Sequence, residues 1–272
     1  MMIINLVEDT KNGSCLNEHG LCFYIETDKH KLLMDSGATD MFAHNAEMLG
    51  VDLTQTDTFI LSHGHYDHAG GLSAFAEINP NAKIYLKDTA DGDYYHISSQ
   101  GRKYIGIDKS IMKLPRVVRV QGNLEIDDEL LLFSDFSEKR YPVWSNRELK
   151  EKVGSNYIQD SFSHEQCLVI RQKEHQALFS GCAHNGILSI LDRYYQLFGS
   201  YPQTVISGFH TMKSSDYTSE EADYIRQTAY ELLKTKALFY TGHCTGQKAF
   251  DIMKEIMGDR LQAFHSGSQF EI

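Results

Sequence analysis

A chain of 272 residues, 42% hydrophobic and 23% charged, has the material for one large globular domain with a sizeable core. Its net charge of −11 argues against nucleic acid as a partner, because binding there rests on neutralising phosphates. Five cysteines, odd in number and without a Cys-x-x-Cys pair, argue against a disulfide framework and for a reducing compartment.

The opening Met1-Met2-Ile3-Ile4-Asn5 is too short an apolar run for a signal peptide, and nothing later approaches a membrane span, so a cytoplasmic protein is expected. Met2 to Val7 reads as an edge or first strand, followed by a polar loop that ends in Glu18-His19-Gly20. Leu21 to Glu26 and Lys31 to Met34 read as two strands joined by the polar turn Asp28-Lys29-His30, a hairpin. The second strand delivers Asp35-Ser36-Gly37 at its end. Met41 to Leu49 has helical spacing and stops at Gly50.

The next strand, Thr58 to Ser62, carries the chain's densest chemistry. His63, His65, Asp67 and His68 fall within six residues, and Gly70-Gly71 and a helix from Leu72 to Glu77 follow. His63 and His65 are two apart, so in extended chain their side chains point the same way and can share one metal ion. Asp67 and His68 come after the chain turns and can face a second. Imidazole and carboxylate suit zinc first, with manganese or iron as alternatives, and two such ions can share a hydroxide. A lone histidine in a loop more often just satisfies a hydrogen bond. Four crowded ligand types are costly to hold together without a cation, so two divalent ions are expected.

Lys83 to Leu86 is a further strand. From Asp88 to Gln159 the pattern weakens, although Val117 to Val120 and Leu130 to Phe133 still read as strands. Tyr94, Tyr95, His96, Lys103, Tyr104, Trp144 and Arg147 interleave aromatic and basic character there. Residues 88–159 therefore read as a lid or insertion within a single domain spanning 1–272, with Tyr95, His96, Lys103 and Trp144 as candidate contacts to a planar, anionic substrate. A solvated insertion is the plainer alternative.

In the second half, His164 precedes the strand Cys167 to Gln172, and Ala177 to Ser180 ends at Gly181-Cys182-Ala183-His184. An apolar helix runs on to Gly199. Thr204 to Ser207 ends at Gly208-Phe209-His210; Ser219 to Lys234 is a helix that Thr218 or Ser219 can cap. Ala237 to Tyr240 ends at Gly242-His243, Gln247 to Met257 is the last helix, and Gln262 to Phe264 starts a final strand. Counting the strand before His63, four strand ends carry a histidine.

The His-x-His-x-Asp-His stretch at 63–68 resembles the metal motif of the metallo-β-lactamase fold superfamily. Glu18-His19-Gly20-Leu21, Asp35-Ser36-Gly37, Gly181-Cys182-Ala183-His184, Gly208-Phe209-His210 and Gly242-His243-Cys244-Thr245-Gly246 are similar to one of its subgroups, named for 7,8-dihydropterin-6-yl-methyl-4-(β-D-ribofuranosyl)aminobenzene-5′-phosphate synthases. The resemblance implies an α/β fold, a four-layer αββα sandwich. It implies that later strand ends complete the metal set. His184 and His243 lead, followed by His164, with Cys182 and His210 as bridging or substrate-contacting residues. The superfamily's bridge is usually Asp, so Cys182 departs from its pattern. Asp35 and His19 are placed behind the ligands, each with an ordinary loop role as the alternative. The implied activity is a metal-dependent hydrolase or lyase that uses a metal-activated water on a small, phosphorylated, heterocycle-bearing substrate. C–C bond formation of the synthase type and non-catalytic carriage of a small molecule are the rival readings. A small molecule is the expected partner, neither nucleic acid nor membrane is, and a homo-oligomer is left open.

Overall fold

Among the residues described by the computed structural model, 1–136 and 143–272, the strands form two seven-stranded sheets and one four-stranded sheet. The first sheet has the spatial order Gln269–Glu271, Met2–Val7, Cys22–Glu26, Lys31–Met34, Thr58–Ile60, Lys83–Lys87, Val117–Val120. The second runs Leu261–Ala263, Leu238–Thr241, Thr204–Ile206, His175–Phe179, Cys167–Gln172, Leu130–Phe133, Leu124–Glu125. The two large sheets are antiparallel through their hairpins and parallel across longer crossovers, most of which carry an α-helix. The parallel strands leading to Asp35, His63, Cys182, His210 and His243 thus end along one margin of the sandwich, where open α/β sheets carry their sites.

Alternation decides the layers. Ile3, Phe23, Ile25, Leu132, Ile170 and Phe179 face into the space between the sheets. There Phe23 meets Phe264 edge-on with ring centres 5.0 Å apart, and each fully buried ring of this kind contributes about 1.5–3 kcal/mol. The opposite face of the first sheet packs on helices α1 (Met41–Met48) and α3 (Leu72–Ile78), which follow and precede strands either side of the short helix α2 (Tyr66–Ala69). The opposite face of the second packs on α4 (Ile187–Phe198), α5 (Ser219–Lys234) and α6 (Gln247–Met257). The layers run helix, sheet, sheet, helix, the αββα sandwich. Helix α5 starts at a capping box: Thr218 accepts from the Glu221 N–H, and the Glu221 side chain accepts from the Thr218 N–H.

Two departures from the sequence expectation matter. Met2–Val7 is not at the edge, because the C-terminal Gln269–Glu271 pairs outside it; three residues are too few to display alternation. The weakly patterned region contains the four-stranded antiparallel sheet, in the order Asn156–Gln159, Leu149–Val153, Tyr94–Ser98, Gly101–Tyr104. Tyr94, Ile105, Leu149 and Phe162 form its own small core, with Tyr66 of α2 packed against it. The small sheet therefore rests on the His63–His68 loop.

Candidate metal centre

The ligand-type side chains are aimed by unusual backbone. Asp35, Ala183, His210 and His243 all take left-handed φ values, between 48° and 62°, just past the ends of strands. For residues with a Cβ this costs about 1–3 kcal/mol each and persists only where the surroundings impose it. At the central loop, His65 is still extended (φ −105°, ψ 149°) before α2 begins, so His63 and His65 lie in the lead-in while Asp67 and His68 occupy the first helical turn. Gly181 has no room for a side chain: a Cβ there would lie 2.2 Å from Ser62 Oγ. That close approach seats the Cys182 turn directly on the histidine loop.

The Nε2 atoms converge. His63 Nε2 lies 3.3 Å from His184 Nε2, and His65 Nε2 is buried beside them with no hydrogen-bond partner. On the other side, Asp67 Oδ2 lies 3.7 Å from His68 Nε2 and 3.6 Å from His243 Nε2, which is likewise buried and unpartnered. Cys182 Sγ stands between the groups, 3.2 Å from His68 Nε2, and is within 4.8 Å of ligand atoms of both His63–His184 and His68–His243. The Nδ1 atoms are held from behind. Ser62 Oγ lies 2.9 Å from that of His63, Asp35 Oδ2 2.7 Å from that of His68, Asn146 Oδ1 3.1 Å from that of His184 and Asp9 Oδ1 2.6 Å from that of His243. Such rear partners fix the tautomer that leaves Nε2 as an acceptor.

Acceptor nitrogens facing one another and facing a carboxylate repel unless a cation lies among them. The orphaned Nε2 atoms and the mixed N, O, S donor set therefore fit divalent metal, and the thiolate favours zinc. The proton equilibria of His63, His65 and His184 point the same way, whereas at His243 burial opposes charge but Asp67 and Asp9 outweigh it and raise the ring above its usual range. Burial and neighbouring histidines push His63 and His184 well below the usual range, and His65 down to about 3, so these rings are neutral donors. Burial opposes charge on Asp67, but His68 and His243 outweigh it and hold the carboxyl below its usual range. Burial pushes the Cys182 thiol up, so thiolate there calls for a cation.

His164 lies on the other side of His65, with which, together with Asp160, it forms a separate candidate cluster. Its Nδ1 accepts from the Gly64 N–H at 3.0 Å and its Nε2 lies 3.2 Å from Asp160, behind His65. His210 stands on the far side of His184, ring centres 4.2 Å apart, with its Nδ1 buried and unpartnered; it shares a cluster with Cys182 and Cys244. His19 is half exposed over Asp67. Asp35 sits behind the ligands, where it accepts from the Ser62 N–H, the Ser62 hydroxyl and His68.

A pocket of about 290 Å³ opens over the centre, with Asp67, Cys182, His184 and His243 on its floor. His96 and Lys103 stand at its rim, and Ile105, Leu149 and Met212 form an apolar wall. Lys103 Nζ is 2.9 Å from the Tyr66 hydroxyl and lies over that ring. Tyr95 is elsewhere, packed with Tyr104 and Tyr157. Trp144 and Arg147 line a neighbouring groove that shares His184 with the first. Sequence reasoning missed Asp9, Ser62 and Asn146, which support ligands. Asp9 follows directly on a strand; Asn146 stands in no motif at all.

The chain matches the family model of the metallo-beta-lactamase superfamily over residues 17–243. It is 26% identical to the 7,8-dihydropterin-6-methyl-4-(beta-D-ribofuranosyl)-aminobenzene-5'-phosphate synthase of Methanocaldococcus jannaschii, over 97% of this chain and 94% of that one. It is also 26% identical to an uncharacterised protein of the same organism, over 94% of each. A crystal structure of a metal-dependent hydrolase of the beta-lactamase superfamily superposes with a TM-score of 0.82 at 27% identity, covering 100% of this chain and 99% of that one.

Proposed function

Because the chain belongs to the metallo-β-lactamase superfamily, we propose that it is a metal-dependent hydrolase or lyase acting on a small, phosphorylated molecule with a planar heterocycle. The observation that carries this reading is the convergence of five Nε2 atoms, the Asp67 carboxylate and the Cys182 sulfur at and just beneath the floor of one pocket. His63, His65 and His184 would hold one ion, Asp67, His68 and His243 a second, and Cys182 would be shared between them. This assignment leaves His164 outside the two ligand sets; its hydrogen bonds to Gly64 and Asp160 brace the loop beside His65. Bound ions would supply Lewis acidity and a water acidified to near neutrality.

The chain's own residues do the rest. Asp35, Asp9, Asn146 and Ser62 keep each ring turned toward the centre. Lys103 and His96 offer cationic and hydrogen-bonding contacts to a phosphate at the rim, which offsets the repulsion of an acidic chain. Ile105, Leu149 and Met212 exclude water and can pack on a planar ring. On this reading the small sheet acts as a lid. The test is to assay apo, zinc-loaded and manganese-loaded protein on panels of phosphodiesters and lactones. Turnover that depends on metal supports the proposal; its absence from every panel rejects it.

The similarity to the synthase supports a second reading, C–C bond formation with the ions as Lewis acids. Binding of a pterin and a sugar phosphate together, without hydrolysis of either, would favour it.

A further inference from the structure

Of the histidines around the pocket, His19 and His210 are left without a role by the ligand sets above, and His19 faces the second set directly. We propose that His19 is an exchangeable further ligand of the ion held by Asp67, His68, His243 and the shared Cys182, and that an oxyanion of the substrate displaces it. The inference rests on the dinuclear reading and adds a residue to it.

The argument is one of identical wiring. Asp9 uses one carboxylate oxygen on His243 Nδ1, at 2.6 Å, and the other on His19 Nδ1, at 2.8 Å. Asp9 thus turns both rings the same way, and both Nε2 atoms face the same oxygen, Asp67 Oδ2, at 3.6 Å and 3.4 Å. With His68 Nε2 at 3.7 Å, three imidazole nitrogens surround one carboxylate oxygen. Neighbouring ligands on a four- or five-coordinate ion with bonds of about 2.1 Å stand about 3–3.5 Å apart. One cation can satisfy all three nitrogens and the Asp67 carboxylate together.

What distinguishes His19 is its setting. The His243 side chain is fully buried, and that of His19 is 47% exposed. Its backbone is nonetheless pinned on both sides. The Glu18 carboxylate accepts from the Ala38 and Thr39 N–H groups. Gly20 lies so near that a Cβ there would meet the Asp67 carbonyl oxygen at 2.7 Å, and the Leu21 N–H donates to that same carbonyl. A fixed backbone with a side chain open to the pocket suits a ligand that swings away and returns.

The test uses the full-length protein loaded with cobalt(II), compared with His19→Ala, which removes an exposed loop side chain. Metal content, chelator competition and the visible ligand-field spectrum are read for both. We expect two ions in each protein. In His19→Ala the weaker ion should be held on the order of 10–100-fold less tightly, and its band should lose intensity as water replaces a nitrogen. Free imidazole should restore the band, which a merely structural role would not do. Inorganic phosphate should reduce the wild-type band and leave the variant's unchanged. Equal affinity and equal spectra in the two proteins overturn the inference alone, as does failure of imidazole to rescue; a wild-type band insensitive to phosphate overturns the exchange. A wild type that binds fewer than two ions overturns the dinuclear reading and this inference with it.

Discussion

Asp35 concentrates the site's dependence on single residues. Its carboxylate accepts from the Ser62 N–H, the Ser62 hydroxyl and His68 Nδ1, each at 2.7 Å. Because the Ser62 hydroxyl donates to Asp35, its oxygen is left to accept from His63 Nδ1. One carboxylate thus sets the orientation of two rings, one directly and one through a serine. In Asp35→Asn an amide N–H would oppose a donor, and His68 would be driven to the tautomer that protonates Nε2. Metal affinity should fall by about 10–100-fold with the fold retained, as read by chelator competition alongside circular dichroism. An unchanged affinity would remove Asp35 from the metal argument. Away from the site, His30 gives a pH prediction. Its Nδ1 lies 3.0 Å from Asp57 and its Nε2 2.6 Å from Asp127, so it ties the first hairpin to the turn that opens the second sheet. Burial lowers its pKa, but the two carboxylates outweigh that and raise it above the ordinary value. A histidine raised on folding stabilises fully below its unfolded pKa of about 6.5, and the contribution is lost as pH rises through the folded value. His30→Gln should therefore cost about 1 kcal/mol at pH 6, discounted for solvent screening, and little at pH 9. Denaturant melts at both pH values measure this, and an equal loss at the two would contradict it.

At the scale of elements, the strand ends were legible in the sequence and the small sheet was not, for one physical reason. Buried strands are written in apolar runs, such as Phe59-Ile60-Leu61 and Cys167-Leu168-Val169-Ile170, because both faces are covered. Gly101–Tyr104 is exposed along its whole length, and only Leu149 of Leu149–Val153 is buried, so neither shows a period to read. The choice between His164 and His184 was open for a related reason. Spacing along the chain admits both, and only the three-dimensional course of the turn after Gly181 shows that His184 reaches His63 while His164 meets Gly64 and Asp160. Asn146 belongs to a short 3₁₀ turn whose relation to His184 is visible only in the fold. The small sheet also makes its own prediction. It presents Lys103 at the rim, against the Tyr66 hydroxyl and ring. If this element holds the substrate's anionic group, Lys103→Ala should raise KM on the order of tenfold with metal content unchanged, about 1.4 kcal/mol of lost binding. An effect confined to kcat would place Lys103 in the chemistry instead.

Across the whole molecule, the proposed ligands are divided between the two halves of the sandwich. His63, His65, Asp67 and His68 hang from the first sheet; Cys182, His184 and His243 hang from the second. Asp9, at the end of the first sheet's Met2–Val7 strand, reaches across to His243. The hydrophobic layer between the sheets joins their middles, while the margin carrying the site is joined by polar groups that repel one another when no cation is present. Bound ions should act there as a staple between the sheets as well as a catalyst. A ligand that binds only the folded state stabilises by mass action, about 2.7 kcal/mol at a free concentration of 100 Kd. In a chain of this size that corresponds to roughly 5–10 °C in Tm. Stripping the metal with a chelator should lower Tm by that order, and zinc should restore it in proportion to the ions rebound. Because the strain lies at the seam, hydrogen exchange in the apo protein should rise first at the strand ends before His63, Cys182 and His243, with the inter-sheet core around Phe23 and Phe179 still protected. A chelator that removes measured metal without moving Tm or those amides would show that the sandwich closes without its ions.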